Sequence, residues 1–356
     1  MIKILEVVDY LEIDSGITTF LKNYCENDSN ISYDFMIVSG DATVIESLKI
    51  NNSKVYYMPD FKINVFKFNA FLDNFFMKNK YDVVHSHTFQ MDKFLFRNAK
   101  KYHKVKCISH SHSIKFSDNR MKALISKILS WNLSKYTDVC LACSKEAGLK
   151  LFNKTPFKII YNAIDAKKYY FNEEKRNIIR KELGLENKYV IGYVANFSEG
   201  KNQQFLVECM RDLLNKRDNC ILLFVGEGRY YKKVMDFVEK KEYKDKIIFM
   251  GKKENINELL FAMDTFALPS VHEGFSIAAL EAEASGLPVT ISKGVPSLVK
   301  IINCKSVDIV DREKWVYSIL NNRIEQDNRQ AANKYIEDSS FDIEVNRKIL
   351  KKLYME

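Results

Sequence analysis

Apolar runs of strand length alternate with amphipathic helical patterns along the whole chain, which predicts an α/β protein of parallel sheets with helices on both faces. A length of 356 residues, and more strand candidates than one sheet comfortably holds, favours two such domains. Apolar residues make up 46% and charged residues 28%, a globular mixture that excludes disordered, collagen-like and coiled-coil chains.

In chain order, strands are predicted at 2–8, 33–38, 54–57, 82–85, 107–110, 139–142 and 158–160. A second series follows at 189–194, 221–225, 247–250, 265–268, 288–291 and 307–309. The polar stretch 165–188 separates them. It begins after an Asn-Ala-Ile-Asp turn and carries an exposed, charge-rich helix from Glu173 that ends at Gly184. Domains are therefore placed at 1–165 and 166–340, and the helical segment 341–356 is expected to pack back on the first. In open α/β sheets, ligands bind beyond the carboxyl ends of strands, so the strand-to-helix loops are where chemistry should lie.

Seven Cys without paired spacing point to small buried thiols rather than a disulfide framework or a zinc site. The N-terminal segment reads as a first strand rather than a secretion signal, and no run of about 18 apolar residues occurs. The expected location is cytoplasmic, with any membrane contact peripheral. The net charge of +9 is concentrated: eleven Lys and Arg fall between Lys93 and Lys135, opposed by Asp118 alone. Phe94, Phe96, Phe116 and a helical apolar stripe from Ala123 to Leu133 interleave with them. Such a surface fits an anionic bilayer face, at about 1 kcal/mol per well-placed cation, or is simply a solvated lysine-rich face. No nucleic-acid recognition motif accompanies it.

The densest signal is the segment 269–289, which reads strand end, loop, helix, turn, strand. Ser276 caps the helix, Gly286 and Pro288 close it, and Gly274 permits close approach of a ligand. Free amides near Phe275, Ser276 and Ile277 form an anion site at a helix N-terminus, suited to a diphosphate. Glu273 in the loop and Glu281 further along the helix offer two carboxylates to hydroxyls of a sugar and a ribose.

This segment resembles the E-x7-E signature of the retaining GT-B glycosyltransferases of family 4, with Glu273 and Glu281 as its acids. Five further segments resemble family landmarks in the family's order. Tyr81 to His87 is similar to the "DVVHxH" strand end, and Ile108 to Ser113 to the "HSHN" segment of capsule and exopolysaccharide transferases. Ala142 to Gly148, Tyr161 to Asp165 and Val225 to Gly228 resemble "ACSxxAG", "NAID" and "VGxG".

The resemblance implies two Rossmann-like domains facing across a cleft, the nucleotide-sugar held mostly by the C-terminal one and the acceptor by the N-terminal one. Glu281 would take ribose hydroxyls, Glu273 the donor sugar, and backbone from Gly274 through Phe275 and Ser276 to Ile277 the phosphates. Lys201 would neutralise the departing diphosphate, a role a mobile ammonium suits. Gly16 would lie against the donor phosphates or the acceptor, with Ser15 replacing the first of the family's two glycines. His112, ahead of His110, is the candidate for the histidine near the sugar ring, while His85 and His87 could be structural.

Two positions depart from the family. Asn196 stands where an Arg is usual and donates a hydrogen bond without charge, which removes roughly 1 kcal/mol or more of phosphate binding. Leu298 stands where a Glu is frequent. No G-x-G-x-x-G pattern is present, which argues against a dehydrogenase, and no D-x-D motif is present to hold a metal at the diphosphate. No cofactor or metal is therefore expected.

The expected function is retaining transfer of a hexose or N-acetylhexosamine from a UDP-linked donor to a growing surface glycan. Phe61, Phe66, Phe68, Phe71, Phe75 and Phe76, with the basic stretch, point to a polyprenyl-diphosphate-linked acceptor at the inner face of the membrane. The alternative is a catalytically silent GT-B subunit that binds glycan or a partner protein, which Asn196 and Leu298 would favour. Sequence alone leaves the oligomeric state open.

Overall fold

Parallel strands organise the chain into two α/β units. The structure, a computed structural model, describes residues 1–12, 15–25, 28–49, 52–112, 132–273, 275–295, 303–322 and 329–356. The first unit is Met1–Asn162 with Ile343–Glu356, and the second is Ala163–Asp342.

In the first unit the strands are β1 (Ile2–Leu11), β2 (Ile31–Gly40), β3 (Val55–Tyr57), β4 (Val83–Ser86), β5 (Lys106–Ser111), β6 (Val139–Ala142) and β7 (Lys158–Ile159). Their spatial order is β3-β2-β1-β4-β5-β6-β7, all parallel. The chain walks outward from β1 to β3, then returns to the other side of β1 with β4, so the loops after β1 and β4 diverge at the switch point of this sheet. The helices are α1 (Gly16–Tyr24), α2 (Ala42–Ser47), α3 (Val65–Lys78), α4 (Asp92–Tyr102) and α5 (Lys145–Phe152), joined by a C-terminal helix at Ile343–Met355. Ser15, Asn64 and Ser144 cap α1, α3 and α5 by accepting from amides one turn on.

Strand alternation decides which helix meets which face. Leu5 and Val7 of β1 pack with Phe68, Leu72, Phe75 and Phe76 of α3 and with Leu95 and Phe96 of α4. Glu6 must then point to the opposite face, where it meets Tyr354 of the C-terminal helix. The helical spacing of 68, 72, 75 and 76 turns those side chains into core, which corrects the reading of an aromatic acceptor surface. Of the six phenylalanines assigned to it, Phe66 alone is exposed, at 85%. The basic stretch is also less bare than the sequence implies. Lys100 is 2.8 Å from Asp138 and Lys101 2.6 Å from Asp73, acids that lie outside the stretch. The predicted helix from Ala123 lies largely outside the described residues.

The second unit contains β8 (Tyr189–Val194), β9 (Cys220–Val225), β10 (Ile247–Phe249), β11 (Thr265–Leu268), β12 (Val289–Ser292) and β13 (Cys304–Val307). Their order is β10-β9-β8-β11-β12-β13, again all parallel, with the switch point between β8 and β11. Every residue of β8, β9, β11 and β12 is buried, as a sheet covered on both faces requires. The covering helices are α6 (Glu173–Glu182), α7 (Gln203–Lys216), α8 (Tyr231–Val238), α9 (Ile256–Ala262), α10 (Ile277–Ala284), α11 (Arg312–Asn321) and α12 (Arg329–Glu337).

Two expectations change in this unit. The last strand is 304–307 rather than 307–309. It is set by pairing of Val289 to Ser292 with Cys304 to Val307, and as an edge strand only its Val307 is buried. Helix α6 does end at Gly184, which has φ +65°, yet it is not simply exposed. Its Arg176 and Arg180 are buried and converge on Asp264, Arg176 Nη2 at 2.5 Å from Oδ1 and Arg180 Nη1 at 3.1 Å from Oδ2. The same carboxylate accepts the Val190 amide at 2.7 Å. Both guanidiniums also donate to carbonyls of residues 261–263, so the cluster fastens α6 to the end of α9 and the start of β8.

Asp264→Ala would leave two buried guanidiniums without their anion, and we expect it to destabilise the second unit by about 3 kcal/mol or more. Urea unfolding measures this, and a loss below about 1 kcal/mol would show that the carbonyls alone suffice.

Candidate active site

In the second unit the loops at the switch point carry the motif residues. After β8 the chain makes a short turn at Glu199–Lys201, and after β11 it enters the loop holding Glu273. The Val271 amide donates to the Gly200 carbonyl at 2.8 Å and ties the two loops together. The Glu273 amide donates to the Gly294 carbonyl at 3.0 Å, which brings in the loop after β12. On this frame the Lys201 ammonium pairs directly with a Glu273 carboxylate oxygen. Lys201 keeps 26% and Glu273 10% of its side-chain surface exposed, so the pair is shielded but reachable by a ligand.

The loop after β9 closes against the same turn. Gly226 and Gly228 have φ of +130° and +149°, and a Cβ at either would lie 2.1 Å from Ala195 O or Asn196 Oδ1. Only glycine lets this loop lie so near residues 195–197. Phe197 is held there by its amide to Glu227 O at 2.8 Å and its carbonyl to the Tyr230 amide at 3.1 Å. Asn196 itself is exposed, and its carbonyl accepts from the Gln203 side chain at 3.2 Å.

Helix α10 begins where the sequence predicts. Ser276 accepts the Ala279 amide at 3.2 Å, which leaves the amides of the first turn at Ile277 available to an anion. The Phe275 ring stacks on Phe341, centroids 5.9 Å apart. Glu281 is half-buried and accepts the Tyr169 hydroxyl at 2.6 Å. Burial pushes its carboxyl up to about 7, a rise the Tyr169 hydrogen bond only partly offsets. Tyr169, 112 residues away in sequence, was not singled out by motif reading. Gly274 and Leu298 lie outside the described residues.

In the first unit the two His-x-His segments are brought together by register. His85 of β4 pairs with Ile108 of β5, so side chains at 85, 87, 110 and 112, each two residues apart on its strand, share one face at the carboxyl ends. His87 Nδ1 is 2.8 Å from His112 Nε2, and His85 Nε2 is 3.3 Å from His110 Nδ1. Behind them Glu6, fully buried, lies 2.9 Å from His87 Nε2 and 3.3 Å from His85 Nδ1. Burial alone would push the Glu6 carboxyl up, but the charge and hydrogen bonds of His85 and His87 outweigh it and hold it at about 2. Burial pushes His87 down to about 4, and it holds His110 and His112 well below the ordinary histidine value, their neighbouring imidazoles adding to the effect. His112, half-buried, is the most open of the four, whereas His110 is 1% exposed.

The serines next to His85 and His110 face the other way, where Ser86 and Ser109 both donate to buried Asp92. Gly16 opens α1 at this switch point, and a Cβ there would meet nothing within 4 Å, so a ligand can approach its backbone. Motif reading missed Glu6, although a lone carboxylate within the apolar run of β1 was a visible signal.

The raised Glu281 carboxyl has a defined consequence for stability. Its folded value of about 7 exceeds the ordinary 4.5, so the folded state binds the proton more tightly. The contribution is complete below about pH 4.5 and is lost as pH rises through about 7. Glu281→Gln is expected to flatten this part of the stability profile in thermal melts across that range. An unchanged slope would assign it elsewhere, for example to Asp92, which burial also raises to about 7.

Comparisons with known proteins agree with this geometry. The family described as Glycosyl transferases group 1 matches residues 175–315, and Glycosyltransferase Family 4 matches residues 39–168. EpsF of Bacillus subtilis strain 168, named as a glycosyltransferase, is 25% identical over 312 residues, covering 83% of this chain and 80% of that protein. The UDP-Gal:alpha-D-GlcNAc-diphosphoundecaprenol alpha-1,3-galactosyltransferase of Escherichia coli is 26% identical over 302 residues, covering 80% of this chain and 78% of that protein. The crystal structure of Anabaena Alr3699/HepE in complex with UDP matches with a TM-score of 0.80 at 17% identity, over 100% of both chains, and so shares the fold. One glycosyltransferase family model matches within each parallel-sheet unit, and these matches, the relatives and the shared fold together support a glycosyltransferase of the GT-B fold.

Proposed function

We propose that the protein is a retaining glycosyltransferase that moves a hexose or N-acetylhexosamine from a UDP-linked donor to a growing, lipid-linked surface glycan. The observation that carries this reading is the Lys201–Glu273 ion pair, set at the switch point of the second sheet in the loop that leads into α10. An ammonium parked on a carboxylate is a cation ready to exchange its partner for a diphosphate, while the freed Glu273 accepts sugar hydroxyls. Amides at the start of α10 supply the remaining anion contacts, and Glu281 takes the ribose. On this reading the diphosphate needs no metal ion.

The reaction breaks the bond between the anomeric carbon and the UDP oxygen, whose electrons remain on the β-phosphate. The acceptor hydroxyl oxygen bonds to the same carbon from the same face, and its proton passes to the departing phosphate. No protein nucleophile forms an intermediate, so rate enhancement rests on positioning and on stabilising the leaving charge. On this reading His112, half-buried just past the end of β5, is the histidine that attends the donor sugar, ahead of His110.

The lipid-linked acceptor is supported by relatives' names. The E. coli relative and a 24% identical transferase of Campylobacter jejuni are both named for diphospho-undecaprenol-linked substrates. No helix among the described residues is long and apolar enough to cross a membrane. Among the described residues of the Lys93 to Lys135 stretch, Arg97, Lys104 and Lys135 are exposed and form the candidate surface.

Glu273→Ala is expected to abolish both transfer and the slow hydrolysis of UDP-sugar, and Lys201→Ala to lower kcat by roughly 100- to 1,000-fold. Absence of UDP binding in calorimetry would overturn the enzyme reading in favour of a silent subunit, for which the uncharged Asn196 is the supporting feature. In flotation assays the protein should rise with vesicles containing anionic lipid at low salt and be released at high salt. Salt-insensitive binding, or none, would remove the membrane surface from the proposal.

A further inference from the structure

We propose that His85, His87 and His110 form a site for one late first-row divalent cation such as Zn2+, with Glu6 and Tyr354 orienting the ligands from behind. This inference does not rest on the donor chemistry assigned to the second unit, although His110 enters both readings.

The three imidazoles are 0%, 5% and 1% exposed, and one nitrogen from each lies within 4.8 Å of one from each of the others. Nitrogens bound 2.0–2.1 Å from a tetrahedral zinc stand about 3.3 Å apart. His85 Nε2 and His110 Nδ1 are already 3.3 Å apart, which is long for a hydrogen bond and matches that edge.

Proton positions favour ligation. Glu6 lies between His85 Nδ1 and His87 Nε2, and a carboxylate there accepts from both, which puts the ring protons on those two nitrogens. The Tyr354 hydroxyl, 2.8 Å from His85 Nδ1, donates onward to Glu6 at 3.2 Å. The lone pairs are thereby turned to His85 Nε2 and His87 Nδ1, on the side away from the carboxylate. A carboxylate behind a ligating imidazole is the usual outer support of a zinc site. Imidazole nitrogens select zinc, copper or nickel over magnesium and calcium.

Charge points the same way. Glu6 is fully buried, and its ion-pair partners among the described residues are two imidazoles, His85 and His87, rather than a lysine or arginine. A buried carboxylate is costly without a full counter-charge, which a divalent cation among the three rings supplies. His112, 2.8 Å from His87, stands where it could complete the coordination or yield it to a ligand.

The test titrates the metal-stripped full chain with Co2+ and then Zn2+. We expect visible Co2+ absorption that saturates at one equivalent and is displaced by Zn2+. X-ray absorption of the zinc-loaded protein should show an imidazole nitrogen shell at about 2.0–2.1 Å. His85→Ala should abolish saturable binding, and Glu6→Gln should weaken it by roughly 10- to 100-fold. Should either variant fail to fold by circular dichroism, the absorption spectrum of the wild-type chain decides alone. No saturable binding, or a sulfur shell from cysteine, would overturn the proposal.

Discussion

Parallel pairing obliges every strand to be followed by a crossover, and so collects all strand-to-helix turns along one edge of a sheet. Everything of chemical interest in this chain depends on that constraint. At the switch point of each sheet two neighbouring turns lead to helices on opposite faces, which is where open α/β sheets bind their ligands. Lys201 and Glu273 occupy the turns after β8 and β11 in one sheet, and Gly16 and His87 the turns after β1 and β4 in the other. The residues are far apart in the chain, and it is strand order alone that gathers them.

The two units solve the burial of charge differently. In the second, opposite charges meet directly: Lys201 on Glu273, and Arg176 with Arg180 on Asp264. The first of these pairs is open enough to be exchanged, whereas the second is closed by backbone carbonyls and fixes helix α6. In the first unit, a carboxylate is surrounded by imidazoles, and the charge and hydrogen bonds of His85 and His87 hold it low against its burial. Phe20 packs against all four rings, at centroid distances from 4.9 to 6.1 Å, and shields that arrangement from water.

Continuous apolar runs such as β8 and β9 make the interior strands readable from sequence, because both their faces are buried. The edge strand β13 lacks such a run, and its position follows from pairing to β12 rather than from its own composition. Helix stripes are readable as stripes, but not as core or surface: the phenylalanines of α3 are spaced for one face, and only the sheet shows that this face points inward. Lys201 and Glu273 were legible because local motifs carry them. Tyr169 against Glu281, and Glu6 among the histidines, were not, since their partners are reached through tertiary contacts spanning from 79 to 112 residues.

The C-terminal helix belongs to the first unit although the whole second unit precedes it in the chain. Asn346 reaches Tyr24 at 3.2 Å, Arg347 donates to the Asn23 carbonyl, and the Leu353 carbonyl accepts from Lys106. As the polypeptide emerges from the ribosome, the β1 face holding Glu6 therefore waits without its last covering helix through the translation of some 180 further residues. The second unit can mature as it is made. The first cannot, and a nascent chain stalled before residue 343 would present its half-finished face to chaperones.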